Sequence, residues 1–140
     1  MPLPLTAPHI PKPIWLLLAL YFIASLTHFA HNAEFIAIYP NLPAFITRET
    51  VYWAWLAVSS LGVAGLIVSR MGLHALGALL LMAYGACGLD GLLHYTLALC
   101  SQHTLATNLT IWFEVLAGSA LAFAAASMLW RTKRRQHYGA

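Results

Sequence analysis

Residues 73–99 read LHALGALLLMAYGACGLDGLLHYTLAL and contain no lysine or arginine. A helix rises ~1.5 Å per residue and needs ~20 apolar residues to cross the hydrocarbon core of a bilayer. The stretch is long enough for that, yet its second half carries an aspartate, Asp90, and a histidine, His94. Ionisable groups in such surroundings cost ~2.5–3.5 kcal/mol each even on the gentler insertion scales. A chain that keeps them there has a use for them: a ligand, a reaction or a contact between helices.

Three further runs share this character: Ile14–Tyr39, Thr50–Ser69 and Leu105–Trp130. Apolar residues make up 61% of the 140 positions and charged residues only 8%. Soluble domains carry ~25% charged residues, so this chain has too few to dress a surface for water. The sequence therefore predicts an all-α integral membrane protein, an antiparallel four-helix transmembrane bundle. A Pro-rich leader occupies residues 1–13, a single bundle domain residues 14–130, and a basic tail residues 131–140. The apolar core of the first span is about twice the ~7–15 residues of a signal peptide, so it reads as a retained helix. Pro40 and Pro43 stop the first span, and Arg70-Met71-Gly72 is short enough only for a helical hairpin.

Basic residues set the expected orientation. Lys12, Arg70, Arg131, Lys133, Arg134 and Arg135 fall on one side of the four spans, and Arg48 alone falls on the other. Positive charge marks the cytoplasmic side, which places both termini in the cytoplasm. The loops 40–49 and 100–104 then face outward, as in a multi-pass protein of a bacterial inner membrane. Trp15 and Trp130 mark the inner interface; Tyr39, Tyr52, Trp53 and Trp55 mark the outer one. The basic tail reads as a topology signal that touches anionic lipid, not as a nucleic-acid patch. Cys87 and Cys100 are ~20 Å apart along a helix, too far for a disulfide.

Three of the four acidic residues lie within spans: Glu34, Asp90 and Glu114. No lysine or arginine lies within a span, whereas His28, His31 and His94 do, and His103 sits at a helix end. Counting back from the end of each span, His28, Asp90 and Glu114 lie ~13–17 Å deep, His31 and His94 ~7–12 Å, and Glu34 ~7 Å. Facing agrees with depth. His28, His31 and Asn32 share one face of the first helix, with Glu34 on its edge. Cys87, Asp90, Gly91 and His94 form a stripe on the third; Thr107, Thr110, Ile111, Glu114 and Gly118 form one on the fourth. The second helix offers only Tyr52, Ser59 and Ser60 and reads as a wall. The glycines at 62, 65, 85, 88, 91 and 118 let helices approach closely.

This constellation supports three readings. The first is a transition-metal site, with Zn, Fe, Cu or Mn held by His28, His31, Glu34, Asp90, His94, His103 and Glu114, as a setting for redox or lipid-directed chemistry. Imidazole and carboxylate on one helix face suit such a metal, although neither HExxH nor a pair of Glu-x-x-His repeats is present. The second is a pocket for a lipid-, sterol- or quinone-like ligand, with Asn32, Asn108 and Trp112 as binding residues and a histidine and an acid to move protons. The third is structural: polar contacts within the bundle, with other membrane subunits, or with a second copy.

The second reading also rests on a resemblance. Asn108 and Trp112 resemble the Asn/Trp pair of the EXPERA family of four-helix sterol isomerases and sterol-binding proteins, which keep acids and a histidine within their helices. The layout is similar, while the spacing departs from that family's. The resemblance implies a sterol-like ligand and isomerase-type proton transfer.

Overall fold

The computed structural model describes residues 10–138. Among these residues all regular structure is helical: α1 (Lys12–Glu34), α2 (Arg48–Arg70), α3 (His74–Ala86), α4 (His94–Leu97) and α5 (Leu105–Tyr138). A seven-residue 3-10 segment, Cys87–Leu93, joins α3 to α4 so that the three form one span, His74–Leu97. Four helices are thus long and apolar enough to cross a membrane: Lys12–Glu34, Arg48–Arg70, His74–Leu97 and Leu105–Arg131. Side chains agree with a lipid-facing exterior. Phe123 is 79% exposed and Leu116 65%, while His28, Thr107 and Glu114 are buried. Large apolar side chains on the surface, together with buried polar groups, set it apart from a water-soluble fold.

Local chemistry sets the helix ends. Pro13 sits in the first turn of α1, where its missing N–H belongs to those a helix leaves unpaired anyway. α2 opens with a capping box: Thr47 Oγ1 accepts from the Thr50 N–H at 3.3 Å, and Thr50 Oγ1 accepts from the Thr47 N–H at 2.8 Å. Gly72, at φ +88°, makes the hairpin between α2 and α3; a side chain there would be strained.

Glycine contacts hold the third span from two sides. A Cβ on Gly118 of α5 would fall 2.5 Å from the Gly85 carbonyl oxygen and 3.0 Å from Gly88 Cα, so these backbones touch directly. On the other side a Cβ on Gly77 would fall 2.9 Å from the Gly65 carbonyl oxygen of α2 and would collide with Ser69 Oγ. Tyr21 of α1, fully buried, lays its ring edge over Gly88 and Gly118 and packs edge-on against Tyr84 at 4.6 Å between centroids. Around it Leu18, Ala24, Leu81, Ala117, Leu121 and Ala125 form the core.

Two departures from the sequence reading matter for the site. The first span was expected to run to Tyr39, but α1 ends at Glu34, followed by a 3-10 turn at Ile36–Ile38. Tyr39 is thereby turned inward and is 5% exposed, rather than marking an interface. The third span was expected to be α-helical throughout. In its 3-10 segment residues three apart eclipse, so Gly88, Gly91 and His94 follow one line while Cys87 and Asp90 follow the next.

Candidate functional site

α1, α2 and the third span enclose a cavity of about 460 Å³, with Glu114 reaching it from α5. Its apolar side comes from the connection before α2 (Leu42, Phe45, Ile46) and from α2 itself (Val51, Ala54, Val58). Its polar side is formed by His28, Asn32, Asp90, His94 and Glu114. Gly91 lies beside Glu114: a Cβ there would make ordinary contacts, 3.5 Å from Glu114 Oε2 and 3.4 Å from Ile111 Cγ2.

Hydrogen bonding fixes the protonation of the central histidine. Thr110 Oγ1 donates to the Thr107 carbonyl at 2.9 Å, a common use of a helical threonine. At 3.3 Å the same oxygen accepts from His28 Nδ1, because the Asn32 amide nitrogen on the other ring nitrogen can only donate. His28 Nε2 is then left as an acceptor. It receives one proton of the Asn32 amide at 3.1 Å, and the other goes to His94 Nε2 at 3.2 Å. A single amide nitrogen on α1 thus joins a histidine of its own helix to one of the third span.

Glu114 stands beside this bridge. Its Oε2 is 3.6 Å from His28 Nε2, beyond hydrogen-bond reach, and its side chain is fully buried. Neither carboxylate oxygen has a hydrogen-bond partner among the described residues, nor does Asn32 Oδ1. Asp90 lies on the same side of the cavity and is exposed to it.

A second group of rings adjoins the first. Tyr39 donates its hydroxyl to His31 Nδ1 at 2.6 Å, and its ring packs on His94 at 4.9 Å and His103 at 6.4 Å between centroids. Burial pushes the Tyr39 phenol up to about 12, against the hydroxyls of Thr107 and Thr110, so it stays a donor at neutral pH. His103 Nε2 donates to the His94 carbonyl at 3.3 Å. Asn41, at φ +59°, donates to the Leu97 carbonyl at 2.8 Å and ties the connection to the third span.

The remaining residues singled out from the sequence lie elsewhere. Glu34 is at the exposed end of α1, where its Oε1 accepts from Arg48 Nη2 at 2.8 Å, Arg48 Nε at 3.0 Å and the Tyr52 hydroxyl at 2.7 Å. Asn108 accepts from the Tyr95 hydroxyl at 2.8 Å and donates to the Cys100 carbonyl at 3.1 Å, which pins the turn between α4 and α5. Trp112 is 46% exposed and lies against Tyr95. Neither Asn108 nor Trp112 lines the cavity. Among the described residues no three His, Cys, Asp or Glu side chains come together closely enough to hold a metal ion. Sequence reasoning missed Tyr39, whose only signal was the adjoining Pro40 that forces the chain to turn.

No protein-family model matches the chain, and no curated protein or solved structure resembles it significantly.

Proposed function

We propose that this protein is a multi-pass membrane protein whose four helices run antiparallel, with both termini cytoplasmic, and whose cavity binds a small amphiphilic molecule from the outer leaflet. The observation that carries the reading is the cavity itself. About 460 Å³ with apolar walls and a few polar groups gathered on one side is the form that small-molecule sites take. The apolar side would take the tail; His28, Asn32, Asp90, His94 and Glu114 would orient the head. The basic residues flanking the spans support the orientation, since Arg48 alone lies at the cavity end. Reporter fusions at the carboxyl end should read cytoplasmic and fusions within 40–47 external; the reverse result would overturn the outer-leaflet assignment.

Ala54 supplies the test of binding, because it lines the cavity yet is exposed, so a larger side chain there fills space without disturbing the core. Wild-type protein extracted in mild detergent should carry a small amphiphile visible by native mass spectrometry. Ala54→Trp should lose it while melting as a folded protein. Equal retention by both would sink the proposal.

One observation favours a metal as a second reading. His28 Nε2 and Glu114 Oε2 are 3.6 Å apart, a separation that two ligands on one ion at ~2.0–2.2 Å from each would span. A third ligand, His94, would have to move in after displacement of the Asn32 amide, since no three such side chains among the described residues meet closely enough as they stand. Elemental analysis separates the two: near-stoichiometric Zn, Fe, Mn or Cu, lost in His28→Ala, supports the ion, and its absence removes this reading.

A further inference from the structure

We infer that the head group this cavity takes is a positively charged hydrogen-bond donor, a protonated amine on an apolar tail; the inference rests on the cavity being a ligand site. Among the described residues, the buried polar atoms of its lining that lack a partner are all acceptors. Glu114 Oε1 and Oε2 and Asn32 Oδ1 are buried and have no hydrogen-bond partner among the described residues. Asp90 adds a second carboxyl group to the lining. The two protons of the Asn32 amide, the obvious donors, are both used on imidazoles. A carbonyl, carboxylate or phosphate head placed here would bring more acceptors to acceptors.

Charge points the same way. Two carboxyl groups line the cavity and no lysine or arginine does. The one cation at this end, Arg48, is engaged by Glu34. A buried carboxyl group is relieved either by a proton or by a neighbouring cation. A proton on Glu114 would make it a donor, but His28 Nε2, 3.6 Å away, already accepts from Asn32. An ammonium group supplies charge together with three donors, and Asn32, Asp90 and Glu114 all line the one cavity. Glu114 Oε2 lies 3.6 Å from His28 Nε2, the nitrogen to which the Asn32 amide donates at 3.1 Å.

The amine has two sources, a free long-chain amine or the headgroup of an aminophospholipid. The phosphate of the latter would enter beside Asp90 with no basic residue to receive it, so the free amine is favoured. Both are tested with protein in phosphatidylcholine nanodiscs, using dodecylamine, dodecanol and dodecanoic acid as probes of equal tail, read by thermal stabilisation. Dodecylamine should bind at least ~10-fold more tightly than dodecanol, the scale of a charge-assisted hydrogen bond, and dodecanoic acid should be weakest. The Asp90→Asn, Glu114→Gln double variant should lose the preference and bind amine and alcohol alike. Because partition into the bilayer is common to both proteins, that levelling reports the site. Exchanging part of the phosphatidylcholine for phosphatidylethanolamine should leave the amine affinity unchanged; competition would assign the site to the lipid headgroup and overturn the free amine. If alcohol or acid matches the amine, or if the preference survives in the double variant, the charged head is refuted while the cavity stands. If none of the three probes binds wild type differently from Ala54→Trp, the cavity reading itself fails, and this inference with it.

Discussion

Glu34 and Glu114 occupy opposite circumstances within the same polar end of the molecule. Glu34, on the rim, is exposed and receives three donor contacts, two from Arg48 and one from Tyr52. Glu114, on the cavity floor, is fully buried and receives none. Solvent alone would have served Glu34, because exposed ion pairs add little stability. The floor is where a cation would matter most, and the fold provides none. The pairing is therefore not distributed by need for stability, and among the described residues the floor carboxyl group is left without a hydrogen bond.

Supplying the missing cation would break this contrast, and it should have the largest effect. Ala54→Lys puts an ammonium on the wall facing the floor carboxyls. It should raise the melting temperature without ligand and abolish binding of a cationic amphiphile, by at least ~100-fold, since the pair then forms within the chain. A lysine that lowers stability and spares binding would show that the floor does not seek charge.

Next in size is removal of the bridge. Asn32→Leu takes the donor from both His28 Nε2 and His94 Nε2. Each ring nitrogen left without its donor should cost ~1–3 kcal/mol, read as a clear fall in thermal midpoint. Tyr39→Phe deletes one bond, to His31, and keeps the ring packed on His94; a smaller fall, of ~0.5–1.5 kcal/mol, is expected. The rim should give the least. Glu34→Gln should leave both the melting temperature and ligand affinity where they were, at low salt and high. A rim variant that weakens binding as much as a floor variant would erase the distinction between the two carboxylates.

Much of this was legible in the sequence. Four long runs without basic residues located the four membrane-length helices, and helical spacing put His28 with Asn32 on α1 and Thr110 with Glu114 on α5, where the structure has them. Depth counting brought His28 and Glu114 to one level, and they lie 3.6 Å apart. What stayed hidden depends on contacts distant in sequence. The pairing of Glu34 with Arg48 requires the turn between α1 and α2 to bring the helix ends together. Tyr39 looked like an interfacial aromatic because the early end of α1 at Glu34 leaves no periodic trace. Leu42, Phe45 and Ile46 read as an ordinary turn, although they close one side of the cavity. Asn108 and Trp112 drew attention through a resemblance, and the structure gives them to the α4–α5 turn and the exterior instead.

The 3-10 segment at Cys87–Leu93 also acts as a setting of phase. A 3-10 residue advances the chain by ~120° and ~2.0 Å, an α residue by ~100° and ~1.5 Å. Over seven residues the difference accumulates to ~140° of rotation and ~3.5 Å of length. Wound as an α-helix, the same residues would carry His94 away from Asn32 and Tyr95 away from Asn108, with no change in a single side chain. The tighter winding thus decides which side chains of the last turn meet the cavity, much as the pitch of a thread decides where a screw head comes to rest.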